Sequence, residues 1–426
     1  MHTNMINKRL FWFIVLAAFV FLLKGYGIGR VISGGMGTDF RSFYTAALGF
    51  FGGGNIYDAK YLAEVAEEAD ISGRVFPYLY PPPLAMYMSP LTALGSAWTV
   101  RLWQLLSLAL CLLILVQSIN LTASLQRSTG IPRDALLSAL ALLLLAILPF
   151  DNNLGMGQVN VLVLTLIVCS LVQSLDRNHD FSAGFLLAAA ALIKVTPVVF
   201  LVYFLINGRH RVFYGFAAGL AVLVAPSVII SGGPTQWGHF LGYLGSMSYG
   251  HTVSGVIPTS SLPNFSVAGC MARLLSRADA IALSTYLLLV LMGLALLWQH
   301  VRLIRKGNAE LLILPYLIVM IVASPVAYLH HVVYAYPGVL IVAWMVFPNG
   351  NRRSCGLLAV VVGLTFIASI DFPLYYNALH LNWVILRSLN LYALLTLFFI
   401  GLFLPGAVQS GRRGERSRRS GPVIDD

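Results

Sequence analysis

Residues 182–206 read "SAGFLLAAAALIKVTPVVFLVYFLI", and the number of membrane crossings in the chain turns on them. As one helix the run crosses once, with a kink at Pro197. As two short helices folded back around Lys194–Pro197, it begins and ends on the same side. The flanks decide between these readings. "DRNHD" at 176–180 and "NGRHR" at 207–211 are both polar and basic, and basic flanks stay cytoplasmic. The hairpin is the expected form.

Working outward, apolar runs recur near 10–24, 97–119, 135–150, 159–175, 212–230, 281–298, 310–324, 332–347, 355–370 and 389–405. Counting the hairpin as two segments gives about twelve, with both termini inside. Counting it as one gives about eleven, and the basic tail "GRRGERSRR" then falls outside, against the positive-inside rule. The fold class is an all-α polytopic membrane protein of about 11–12 segments, with an integral domain over 1–410 and a basic cytoplasmic tail at 411–426. The first run has no small-residue cleavage signal after it and reads as a retained transmembrane helix.

Composition agrees. Of 426 residues, 58% are hydrophobic and only 10% charged, far below the roughly one quarter charged in soluble domains. The net charge of +11 is explained by orientation, since most basic residues flank spans; no nucleic-acid partner is expected. The four cysteines form no disulfide framework, and no CxxC or HExxH pair argues for zinc.

Function is expected in the long extracytoplasmic loops at 25–96 and 231–280, because a helical bundle needs only short connections. In the first, Thr38 suits an N-cap and Asp39 the first turn of a helix carrying Phe40, Phe43, Ala47 and Phe50 on one face. "AKYLAEVAEEAD" at 59–70 reads as an interfacial helix with Glu64, Glu67 and Glu68 on its polar side. "FPYLYPPPLAMYMSPL" at 76–91 is expected to be non-helical because of its prolines. Asp39 has two readings, a helix cap or a general base held at the lipid–water boundary.

The stretches "TDFRSFYTAALGFFGGGNIYD" (38–58), "YLYPPPLAMYMSPL" (78–91), "LGMGQVNVLVLTL" (154–166), "ALIKVTPVVFLVYFL" (191–205), "LPNFSVAGCMAR" (262–273) and "ASPVAYLHHVVYAYP" (323–337), in this order, resemble glycosyltransferase family 87. The resemblance implies a GT-C-type bundle and a membrane enzyme related to polyprenol-phosphate-mannose-dependent α-1,2-mannosyltransferases. It implies a polyprenyl-phosphate-linked sugar donor, with mannose as the expected hexose, and a glycolipid or glycan acceptor. The bacterial plasma membrane is the expected location, with the site on its extracytoplasmic side. The family's catalytic acid in the first external loop maps onto Asp39.

Other candidates follow from the chemistry such a transfer needs. A departing phosphate calls for fixed cations. Lys194, costing about 2.5–3.5 kcal/mol in the middle of an apolar segment, is expected to bind it, unless it snorkels to an interface. His330 and His331 are expected on the external rim, as phosphate or acceptor ligands or as ordinary hydrogen-bonding groups. Arg273 is a further phosphate candidate. Asp151 is the second acid, a donor-hydroxyl or orienting ligand, ahead of Asp58, Asp279 and Asp371. Gln158 and Asn160 are placed to bond sugar hydroxyls or neighbouring helices. Tyr80–Pro83 reads as architectural. A divalent metal between Asp39 and Asp151 stays open, and no other cofactor is expected. The rival class is a secondary transporter or lipid flippase, which would also suit a broken hairpin around a buried lysine. An accessory scaffold is a third reading.

Overall fold

The computed structural model describes residues 35–129, 148–230, 234–247, 249–250, 258–346, 352–372 and 386–419. The segment expected at 10–24, most of that at 135–150 and the end of the tail lie outside them. Among the described residues all regular structure is helical. Five helical stretches are long and apolar enough to cross a membrane, Ser96–Thr122, His210–Ile229, Ala278–Ile304, Leu329–Val346 and Leu386–Pro405, and five shorter apolar helices accompany them. The chain is an all-α polytopic membrane protein.

Three helices form the first loop: α1 (Thr38–Gly49), α2 (Ala59–Glu68) and α3 (Pro82–Thr92). Gly37 occupies the N-cap of α1 with no side-chain cap, and the Thr38 hydroxyl points instead at Met156 Sδ, 3.0 Å away. Thr38 is therefore not the cap that its residue type suggested. Asp58 caps α2, accepting from the Lys60 amide at 2.9 Å; Leu62 and Ala66 are buried while the three glutamates stay exposed. The expectation of a non-helical proline run is also corrected. Pro82 and Pro83 occupy the first turn of α3, where the amide missing from proline would have no partner and its fixed φ already suits a helix.

The bundle follows as α4 (Ser96–Thr129), α5 (Leu148–Met156), α6 (Asn160–Leu175) and α7 (Asp180–Ile193). After α7 the chain breaks at Lys194, whose backbone is extended (φ −148°, ψ 128°). A 3-10 turn at Thr196–Val198 leads into α8 (Val199–Ile206), then α9 (His210–Ile229). The segment turns back on itself. Gly215 packs on the Phe181 carbonyl and Gly219 against Phe185 and Ala188, so α7 and α9 pack directly on each other in the same direction and α8 carries the chain back from the end of one to the start of the other. Arg209 closes the two ends, donating to Asn178 Oδ1 at 2.8 Å and lying 3.6 Å from Asp180.

The remaining helices are α10 (Thr235–Ser246), α11 (Val267–Leu274), α12 (Ala278–Ile304), α13 (Ile313–Val322), α14 (Tyr336–Val346), α15 (Arg352–Ala368) and α16 (Leu389–Arg419), with a 3-10 turn, Leu329–Ala335, before α14. Burial sorts them. The stretch Leu329–Val346 is 94% buried and forms the axis of the bundle, whereas Ala278–Ile304 is only 22% buried. It exposes Leu283, Leu287, Val290, Leu291, Leu294 and Leu297, an apolar face that suits lipid.

The loop helices share a second core. Phe40, Phe43, Tyr57, Tyr78, Leu84, Trp103 and Phe240 pack together, and Gln236 donates to the Gly54 carbonyl at 2.7 Å. The two long loops expected from sequence thus meet in one body, because α10 brings Phe240 onto the Tyr57 ring.

Candidate active site

The body formed by the loop helices and the tops of α7, α13 and α14 enclose a cavity of about 940 Å³, at the upper end of the range for small-molecule sites. Among its lining residues are Asp39, Tyr80, Asn152, Gln158, Lys194, Tyr328, His330, His331 and Asp371.

Asp39 reaches it because Phe40 anchors the first turn of α1. Phe40 is fully buried beside Trp103, whose indole Nε1 donates to the Gly157 carbonyl at 2.9 Å. Gly157 has φ +70°, and a Cβ there would meet Phe40 Cβ at 2.5 Å. Only glycine allows this approach. It delivers the next residue, Gln158, to Asp39, and Gln158 Nε2 donates to Asp39 Oδ2 at 2.6 Å. The Tyr80 hydroxyl donates to Gln158 Oε1 at 3.2 Å, which fixes the direction of the amide. Asp39 is therefore not spent on capping. Burial raises its pKa above the ordinary 3.8, opposed by the Gln158 hydrogen bond and the charge of Lys194. Burial and the neighbouring Asp39 carboxylate likewise raise the pKa of Tyr80, so its hydroxyl stays protonated and donating.

Lys194 enters from the break after α7. Its Nζ donates to Asn160 Oδ1 at 3.0 Å and lies 5.7 Å from the centre of the Tyr334 ring. Tyr334 OH donates to the same oxygen at 2.7 Å, and Asn160 Nδ2 donates to the His330 carbonyl at 3.3 Å. The ammonium is thus held by a neutral amide rather than by a carboxylate.

His330 and His331 were expected on an exposed rim. They are 6% and 7% exposed, tucked into the 3-10 turn but still lining the cavity. Asn153 fixes that turn by donating to the His330 carbonyl at 2.7 Å. His330 Nδ1 lies 3.3 Å from Asn152 Oδ1. His331 Nδ1 lies 2.9 Å from the Tyr328 amide nitrogen and 3.2 Å from the Tyr328 carbonyl oxygen, which fixes the ring in the turn.

Three expected site residues do not line the cavity. Arg273 donates to the carbonyls of Ser261 (3.1 Å) and Asn264 (2.7 Å) and to Ser388 Oγ (2.9 Å). It braces the chain and is not placed to hold a phosphate. Asn160 is fully buried, with its amide bonded to Lys194, Tyr334 and His330. Asp151 lies outside the lining while its neighbour Asn152 is part of it; a helical step of one residue turns the side chain by about 100°. The cavity lining thus holds Asp39 without Asp151. Among the described residues no group of three or more His, Cys, Asp or Glu side chains is arranged for a metal. Of the other acids, Asp58 caps α2 and Asp279 pairs with Arg277 at 2.6 Å on the surface.

Sequence reasoning missed Tyr80, Asn152 and Tyr334. Tyr80 looked architectural inside its proline run, and only the fold reveals its bond to Gln158. Asn152 had a local signal in its place beside Asp151 in a polar run at a membrane edge.

The family model of glycosyltransferase family 87 matches residues 78–327. A polyprenol-phosphate-mannose-dependent alpha-(1-2)-phosphatidylinositol mannoside mannosyltransferase of Mycobacterium tuberculosis is 28% identical over 304 residues, covering 67% of this chain and 65% of that protein. A protein of the same name from Mycolicibacterium smegmatis is 26% identical over 311 residues, covering 69% and 68%. The match thus spans just under two thirds of the M. tuberculosis protein. No solved structure matches the chain.

Proposed function

Because the chain belongs to glycosyltransferase family 87, whose model matches more than half of it, we propose that it moves a hexose, mannose foremost, from a polyprenyl-phosphate donor to a hydroxyl of a lipid-anchored glycan acceptor. The names of the two relatives support the choice of mannose and of a phosphatidylinositol mannoside as acceptor. The site is assigned to the extracytoplasmic face of a bacterial plasma membrane, on the strength of the basic flanks and tail.

One observation carries the mechanism: Asp39 and Lys194 face one cavity, with Gln158 steering the carboxylate. Gln158 holds Oδ2, which leaves Oδ1 to receive the acceptor's hydroxyl proton. As that oxygen attacks the anomeric carbon, the bond from that carbon to the phosphate oxygen breaks on the opposite face and configuration inverts. The electron pair leaves with the polyprenyl phosphate, and Lys194 and His331 stabilise the new charge by fixed donors. Burial raises the pKa of Asp39 and so strengthens it as a base, while the Gln158 hydrogen bond and the Lys194 charge favour its ionised form.

The test is transfer of radiolabel from polyprenol-phosphate-mannose to phosphatidylinositol mannoside by the purified protein and its Asp39→Asn variant, matched for folding. Wild-type transfer is expected to fall by about 10²–10⁴-fold in the variant, the scale of a lost general base. Equal transfer by both would remove Asp39 from the chemistry. No transfer by either, with movement of the intact donor across a vesicle, would favour the transporter.

A further inference from the structure

One wall of the cavity is braced from behind by polar groups that the donor chemistry does not use. Asn264 is fully buried. Its Nδ2 donates to the Thr259 and Pro325 carbonyls (2.9 and 3.0 Å) and its Oδ1 accepts from the Ala327 amide (2.9 Å). Arg273 ties the carbonyls of Ser261 and Asn264 to Ser388. Two residues on, Asn390 Nδ2 donates to the Ala368 and Ile370 carbonyls at 3.0 and 2.9 Å, gathering the end of α15. The product of this bracing is the placement of Asp371, which lines the cavity beside Asn390.

Asp371 is half-buried and makes no hydrogen bond or ion pair among the described residues. Burial alone raises its pKa, and neither Lys194 nor Asp39 contributes. It is thus a carboxylate separate from the proposed base, on a stiffened wall, with no hydrogen-bond donor on it among the described residues.

We propose that Asp371 and Asn390 form the subsite for the polyol ring of the acceptor, a neutral sugar or cyclitol headgroup; this rests on the transferase reading above. An ionised carboxylate only accepts hydrogen bonds, and two neighbouring ring hydroxyls supply the donors for its two oxygens. With Nδ2 committed, Asn390 offers Oδ1 as a third acceptor. The same carboxylate repels a phosphate, so the donor's phosphate is directed to Lys194, while Asp371 takes neutral ring hydroxyls of the acceptor remote from the acceptor's own phosphate.

The experiment varies phosphatidylinositol mannoside in detergent at saturating polyprenol-phosphate-mannose, then the reverse, for wild type, Asp371→Asn and Asp371→Glu. The subsite requires the acceptor KM of D371N to rise tenfold or more while the donor KM stays within twofold, with D371E recovering part of the loss. An acceptor KM within twofold of wild type, or a donor KM that rises in parallel, overturns it. Should D371N not fold by thermal unfolding, D371E is read alone: its acceptor KM must rise with the donor KM held. Failure of the wild type to transfer any label sinks the transferase reading itself, whereas wild-type transfer with an indifferent D371N sinks only the subsite.

Discussion

At the scale of the residue, the proposed site commits some polar atoms so that others stay available. Tyr80 holds Gln158 and Gln158 holds one oxygen of Asp39, and the proposed mechanism assigns the second oxygen to the proton transfer. Removing the first link tests the chain of orientation. In Tyr80→Phe the amide of Gln158 loses its fixed direction and its bond to Asp39 loosens. That bond lowers the pKa of Asp39, so its weakening raises it. The base must be ionised, hence the acidic limb of the pH–rate profile should move to higher pH and kcat should fall about tenfold, a modest share of the general-base contribution. A purely structural role for Tyr80 would lower the amount of folded protein without moving the limb, and pH–rate profiles of both proteins distinguish the two.

At the scale of the element, the break after α7 is what brings a cation into the cavity. A straight helix through 182–206 would carry Lys194 past the site and end on the other side. The observed segment turns at Lys194, and Arg209 closes its ends against Asn178 and Asp180. The parallel packing of α7 on α9 depends on Gly184, Gly215 and Gly219, where any Cβ would run into the facing backbone or side chain. The geometry predicts that cysteines introduced singly at Asn178 and Gly208 react with an impermeant maleimide from the same side of an oriented membrane. Labelling from opposite sides would mean that the segment spans.

At the scale of the whole molecule, the buried acid is a cost to folding. Asp39 has a pKa above 3.8 in the folded protein and near that value unfolded. The folded state therefore binds more protons between the two values, and the cost is absent below the unfolded pKa and grows as pH rises through the folded one. Asp39→Asn removes a charge that must otherwise be buried, so its Tm should exceed that of the wild type at neutral pH, and the difference should shrink toward pH 4. Thermal unfolding in detergent across pH reads this directly; a constant difference would mean that ionisation of Asp39 is not what burial opposes. Activity and stability thus run in opposite directions at this position, as expected where a fold carries a reactive group.

Much of this protein was legible in the amino-acid sequence. Composition and the lengths of the apolar runs determined an all-α polytopic membrane protein, because crossing lipid requires local runs of apolar residues with internally satisfied backbones. The basic flanks of 182–206 and the position of Lys194 indicated a turn-back, again from local chemistry. Asp39, Gln158 and Lys194 stood out as polar groups in apolar surroundings. Only the tertiary structure decided which polar groups face the cavity. Arg273 and Asn160 resembled ligands by type but lie outside the cavity lining with their polar atoms bonded to neighbouring groups, His330 and His331 sit in a buried turn that still lines it, and Asp371 stands on its own wall. Residues 39, 80, 158, 194, 330 and 371 belong to different elements. Periodicity specifies which face of a helix is apolar, whereas hydrogen bonds between distant side chains form only after those faces have packed.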